Sequence, residues 1–212
     1  MSELLPAPAL PHTLPFGPLS IVYDDRVMMP RPWTVLQSDW ARELLDDAPP
    51  GPVLELCSGT GQIGLLAVRG TDRRLVCVEV DPVACEFAVE NAAAAGRASR
   101  VDVLNLPLAA FAAGQLFPVI VADPPTVRTE HLGCFPLDPA GAIDGGEDGL
   151  VVARECLRVI DDHLHPEGAA LLQLGSVAQT ATLADELPDG LVAGEVRAEP
   201  GHGLVVKLVR PS

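Results

Sequence analysis

The 212-residue sequence predicts an α/β fold: a doubly wound, mostly parallel seven-stranded sheet with an antiparallel C-terminal hairpin strand. Three observations predict it. From residue 52 onward, apolar strand-like runs alternate with helical stretches at the spacing of βαβ units. Two of those runs, 52–57 and 118–122, end in polar punctuation, a glycine turn and an Asp-Pro-Pro, where an open α/β sheet keeps its ligand crevice. The last two runs are separated only by Glu199-Pro200-Gly201-His202-Gly203, too short for a crossover helix, so they pair antiparallel.

The elements follow in order. Residues 1–18 carry Pro6, Pro8, Pro11, Pro15 and Pro18 and are expected to be extended, with little regular structure. Residues 19–29 suit a short strand or hairpin turning at Asp24-Asp25. A helix is expected over Thr34–Leu45, capped by Thr34 and ended by Pro49-Pro50-Gly51. Strands are expected at 52–57, 74–80, 100–104, 118–122, 168–174, 191–197 and 203–209, and helices at 62–68, 82–95, 147–163 and 177–187. This divides the chain into an N-terminal extension, 1–48, and a ligand-binding α/β domain, 49–212.

Composition bounds the function. With 48% hydrophobic residues the chain can bury a large core, and no apolar run reaches the roughly 18 residues of a membrane span. No secretory signal pattern opens the sequence, and the five cysteines, without a C-x-x-C pair, read as free thiols rather than metal ligands. Both features make a cytoplasmic location the expectation. The net charge is −15 with 14 basic residues, which argues against a nucleic-acid partner, because such binding depends on Lys and Arg displacing counterions.

Gly59-Thr60-Gly61-Gln62-Ile63-Gly64 follows a strand and opens a helix. Glycine at 59 and 61 lets a ligand approach the backbone, and Cys57 stands where many such turns have a first glycine. Glu79 ends the next strand, where a ribose hydroxyl pair is bound in a Rossmann-like fold. A nicotinamide or flavin dinucleotide would satisfy this pattern. Glu55, at the strand end before the turn, argues for a different ligand: a pyrophosphate is repelled by a carboxylate, whereas a sulfonium and an ammonium are attracted. S-Adenosylmethionine, which leaves as S-adenosylhomocysteine, carries both cations and no phosphate. The plainer role for Glu55 is to bind local backbone amides.

Asp123-Pro124-Pro125 ends an apolar strand beside the same crevice. The carboxylate of Asp123 and the carbonyl of Pro124, fixed by two prolines, are acceptors that can hold the N–H groups of an amine or amide. Methyl transfer needs such positioning more than acid–base chemistry. As a purely structural device, Asp followed by prolines would simply end the strand.

The chain resembles the PrmC/HemK-type glutamine N5-methyltransferases over about residues 19–180. Pro30-Arg31-Pro32-Trp33-Thr34 looks like that family's segment before its first core helix, and Glu55 to Gly64 like its cofactor loop. Glu79-Val80-Asp81-Pro82 with Asn91 looks like its ribose strand and helix, and Asp123-Pro124-Pro125-Thr126 stands where it has Asn-Pro-Pro-Tyr. Ala142–Leu150 is similar to its Gly-Gly-x-Asp-Gly-Leu segment, and Leu174-Gly175 with Gln179 to a later strand end. The resemblance implies a class I S-adenosylmethionine-dependent methyltransferase. Glu55, Cys57, Gly59, Gly61, Gly64, Glu79, Asn105 and Asp123 would bind cofactor, with Asn105 on the adenine side. Asp123, Pro124 and Pro125 would position the acceptor nitrogen. Arg31, Trp33, Thr34 and Thr126 would line the substrate side, with Trp33 supplying a ring in place of the family's tyrosine.

Three departures bear on substrate. Asp123 replaces an Asn, Thr126 replaces an aromatic, and the family's N-terminal helical domain has no counterpart in the short proline-rich stretch. The expected acceptor is a nitrogen on a protein side chain or a small-molecule amine or amide. The alternatives are a catalytically impaired cofactor-binding regulator, an RNA or DNA base N-methyltransferase, and a dinucleotide-dependent oxidoreductase.

Overall fold

The computed structural model describes residues 10–211. An N-terminal hairpin of β1 (His12–Phe16) and β2 (Leu19–Tyr23) precedes α1 (Val35–Asp47). Then come β3 (Val53–Leu56), α2 (Gln62–Ala67), β4 (Leu75–Glu79), α3 (Pro82–Ala94), β5 (Val101–Asn105) and β6 (Phe117–Ala122). The chain continues through α4 (Ala140–Ile143), α5 (Val151–His163), β7 (Leu164–Leu174), α6 (Val177–Ala184), β8 (Val192–Ala198) and β9 (Leu204–Val209).

The main sheet has the order β5-β4-β3-β6-β7-β9-β8. β3 to β7 are parallel, while β9 pairs antiparallel with both β7 and β8. The order reverses between β3 and β6, and the crevice beyond their C-terminal ends is where such a sheet binds ligands.

Alternation along each strand divides the core in two. Val53, Leu75, Cys77, Val119 and Val121 pack with Trp40, Ala41, Ile63 and Leu65 from α1 and α2. Leu54, Leu56, Ile120, Ala122 and Leu172 pack on the other face with Ala153, Cys156, Leu157 and Ile160 of α5. Burial on both faces explains why the central strands read as unbroken apolar runs.

Three local expectations need correction. Residues 19–23 form the expected short strand, β2, but the hairpin it belongs to lies at 12–23 and turns at Gly17-Pro18, because Gly17 takes φ +55, while Asp24-Asp25 follows β2. Residues 12–16, expected without regular structure, are therefore a strand; the expectation for residues 1–9 lies outside the described residues. The Thr34 hydroxyl does not cap α1 but donates to the Arg31 carbonyl at 2.8 Å, within a short 3-10 turn at Pro32–Thr34. Helix α5 starts at Val151 rather than 147, because Gly146 and Gly149 adopt φ +86 and +78 and fold the preceding segment into turns.

Phe16 and Ile21 bury the hairpin against the core with Trp40 and Ala41, and one polar side chain fastens it further. Asn91 of α3, buried, accepts from Val22 N at 2.8 Å and donates to Val22 O at 3.0 Å and to Thr60 O at 3.1 Å. It thus ties β2 to the glycine turn after β3.

Candidate active site

A cavity of about 870 Å³ opens at the C-terminal ends of β3, β4, β6 and β7. The glycine turn, the end of β4, the Asp-Pro-Pro segment, residues 27–34 and the β8–β9 turn enclose it. Of the residues singled out in the sequence, Arg31, Trp33, Thr34, Cys57, Gly59, Glu79, Asp123, Pro124, Pro125 and Thr126 line it. Glu55, Gly61, Gly64 and Asn105 do not.

The cofactor side is shaped by backbone. Gly59 has φ +52, and a Cβ built there would meet nothing within 4 Å, so the turn presents bare main chain to open space. Glu79 is set by three amides: its Oε2 accepts from Gly59 N at 2.8 Å, and its Oε1 from Val80 N and Asp81 N at 2.9 Å each. A carboxylate fixed in this way keeps lone pairs for hydroxyl donors. Asn105 acts behind it, donating to the carbonyls of Glu79 and Val80 at 3.0 and 2.9 Å. Cys57 is the one described non-glycine residue with positive φ, at +55, which explains why glycine is favoured there. Its Sγ lies 3.9 Å from that of Cys156.

Glu55 occupies a different place from the one its position in sequence suggested. Alternation puts it on the same face of β3 as Val53, beneath the turn and against α2. It is 2% exposed, and a Cβ on Gly64 would overlap its Oε2. Burial pushes its carboxyl up to about 8, against the downward pull of the Gly64 amide and the Cys77 thiol. Its Oε1 has no hydrogen-bond partner. Glu55 therefore enters neutral solution as a protonated group that fills the space left by Gly64, and other residues supply the anionic character of the cavity. Five carboxylates line it, those of Glu79, Asp81, Asp123, Asp138 and Asp144, against one arginine, Arg31. Arg31 is ion-paired with Asp138 at 2.5 Å. Among the described residues a diphosphate has no free cation to meet here, whereas the paired cations of S-adenosylmethionine meet carboxylates. The lining fits that group.

Asp123 follows the last residue of β6, and its amide donates to Leu56 O at 3.4 Å, linking the two central strand ends. Burial raises its carboxyl to about 6, partly offset by the guanidinium of Arg31. Gln37 of α1 braces the strand behind it, donating to Ala122 O and Leu171 O at 3.0 Å each. The Thr126 carbonyl is held by Gln179 Nε2 at 2.9 Å, which also reaches Gly149 O at 3.2 Å, while Gln179 Oε1 accepts from Gly175 N at 3.0 Å. One amide thus joins the Asp-Pro-Pro loop, the Gly-rich segment before α5 and the end of β7.

Asp138 and His202 were not singled out in the sequence. Asp138 lies in a loop with no periodic signal. His202 could have been found, because an antiparallel last strand must bring its preceding turn to the ligand edge.

No protein-family model matches the chain. Among curated relatives, the release factor glutamine methyltransferase of Mycolicibacterium smegmatis is 31% identical over 208 residues, covering 89% of this chain and 68% of that protein. The ribosomal protein uL3 glutamine methyltransferase of Bradyrhizobium diazoefficiens is 31% identical over 183 residues, covering 80% and 57%. The chain thus spans little more than half of the latter's length. Among solved structures, the ribosomal protein L11 methylase from Lactobacillus delbrueckii subsp. bulgaricus superposes with a TM-score of 0.66 at 15% identity, over 95% of this chain and 100% of that one. The hMettl16 catalytic domain gives 0.70 at 14% identity, over 91% and 75%. These two likenesses establish the methyltransferase fold, and the sequence relatives go further: the chain belongs to the PrmC/HemK-like family of class I S-adenosylmethionine-dependent methyltransferases.

Proposed function

We propose that this protein transfers a methyl group from S-adenosylmethionine to a nitrogen on a protein side chain. The observation that carries the reading is one cavity in which Gly59 and Glu79 face Asp123 and Pro124 across an anionic lining. The cofactor supplies a methyl group activated by its sulfonium. Glu79 would hold the ribose hydroxyls, and the backbone at Gly59 would lie along the methionine part. Asp123 and the Pro124 carbonyl would accept the N–H bonds of the acceptor, keeping its lone pair free for the methyl carbon. The nitrogen sheds one proton as it gains the methyl group, and the Asp123 carboxylate is the acceptor beside it. Residues 49–212 would form the methyltransferase domain, with 1–48 as an extension whose Arg31, Trp33 and Thr34 close the acceptor side.

A glutamine carboxamide is the first acceptor to test, since the named relatives act on glutamine in uL3 or release factors. A cytoplasmic location goes with such acceptors, and no helix among the described residues is long and apolar enough to cross a membrane. The test uses purified uL3, purified release factor and glutamine-, asparagine- and lysine-containing peptides with radiolabelled cofactor. Label on a side-chain nitrogen, located by fragmentation mass spectrometry, is the expected result. Absence of S-adenosylhomocysteine binding by calorimetry would overturn the cofactor assignment. Binding without label on any acceptor would overturn the transferase assignment and favour a regulator.

A further inference from the structure

We propose that His202 is a specificity-determining residue: stacked on Trp33, it completes the acceptor side of the cavity in place of the ring missing at position 126. This rests on the reading that the cavity serves methyl transfer. Four observations support it.

Topology puts the residue there. Because β9 runs antiparallel to β7, with Leu204 opposite Leu174, the turn that precedes β9 overhangs the same sheet edge that carries Asp123. The turn is also built to present one side chain. Gly201 and Gly203 have φ +83 and +85, and a Cβ on Gly203 would overlap the Leu174 carbonyl. His202 N donates to Glu199 O at 3.0 Å, and Gln173 Nε2 donates to His202 O at 3.3 Å.

The ring has a specific partner. The Trp33 and His202 rings stack with centroids 4.1 Å apart and planes 12° from parallel. Arg31 lies 5.5 Å from the Trp33 ring centre and is itself paired with Asp138. Side chains from three distant segments, 31–33, 138 and 202, therefore bridge the cavity lining that also contains Asp123 and Pro124.

The chemistry is the remaining argument. Asp123 and the Pro124 carbonyl fix the donor N–H groups of an acceptor but provide no surface for the rest of its side chain, and Thr126 offers only a methyl and a hydroxyl. The stacked pair leaves its ring edges and one outer ring face for the cavity, a flat surface suited to a thin side chain ending in a planar carboxamide.

The test compares wild type with His202→Ala and His202→Phe, using S-adenosylhomocysteine calorimetry as a check on folding and the acceptor panel above. The proposal expects His202→Ala to bind S-adenosylhomocysteine as wild type does. The acceptor KM should rise several-fold as the ring surface beside the acceptor is lost, while kcat changes about twofold at most. His202→Phe, which keeps a ring, should restore the KM. An unchanged acceptor KM in His202→Ala refutes the proposal while leaving the methyltransferase reading intact. So does a parallel loss of cofactor affinity and kcat in both variants, which marks a structural role. A wild-type protein that binds no S-adenosylhomocysteine or labels no acceptor refutes the underlying reading, and this inference with it.

Discussion

Glu55 offers a quantitative test of the site's electrostatics. In the folded protein its carboxyl is pushed up to about 8 by burial, from an ordinary value of 4.5. A carboxyl whose affinity for protons is higher in the folded state stabilises the fold fully below pH 4.5. That contribution is lost as pH rises, because above 4.5 the unfolded chain has released a proton that the folded chain still holds. At about 1.4 kcal/mol per pH unit, flattening as the folded carboxyl itself ionises, the loss accumulates to about 4 kcal/mol by pH 8. Glu55→Gln keeps the shape and cannot ionise. Its extra N–H inherits the place of Oε1, which has no partner, so the variant carries a roughly constant penalty of 1–3 kcal/mol. The decisive quantity is thus the slope with pH rather than stability at one pH. Urea unfolding at pH 5, 6, 7 and 8 should show the wild type losing several kcal/mol relative to Glu55→Gln, with the variant the more stable at pH 8. Asp123, also raised, is present in both proteins, and its charge adds to the upward push on Glu55. Parallel stability curves for the two proteins would show that Glu55 is ionised beneath the turn and that the reasoning fails.

Two further outcomes are expected. The role proposed for Asp123, as a carboxylate, predicts that kcat/KM rises with pH through about 6; Asp123→Asn should remove that inflection, and an identical pH profile in the variant would count against its role. Asn91→Ala removes three hydrogen bonds that join β2 to the glycine turn, and should cost about 2–4 kcal/mol in urea unfolding while weakening S-adenosylhomocysteine binding; a change below about 0.5 kcal/mol would deny the clamp.

The sheet was readable from sequence because burial on both faces leaves apolar runs that begin and end within a few residues of the strands. The glycine turn, Glu79 and Asp-Pro-Pro were readable because each depends on backbone geometry that few residues satisfy. Glu55 was not: its neighbours in sequence place it at a strand end, but strand alternation decides which face it takes, and Gly64 makes room for it there. The N-terminal hairpin was displaced because Gly17 competes with Asp24-Asp25 as a turn, and left-handed φ decided for glycine. Asp138 and His202 meet Arg31 and Trp33 only through tertiary contacts across more than 100 residues, which no local pattern encodes.

Strand β9 has a practical corollary for handling the protein. The turn before it borders the cavity, and its last residue, Val209, lies opposite Ala169 at the other end of the sheet. Pro211 lies beyond Val209 at the rim remote from the ligand opening, so a fluorophore attached there through Pro211→Cys should spare binding. Removing even the final strand would unseat Leu204, Val206 and Leu208 from the interior and the histidine turn from the mouth together.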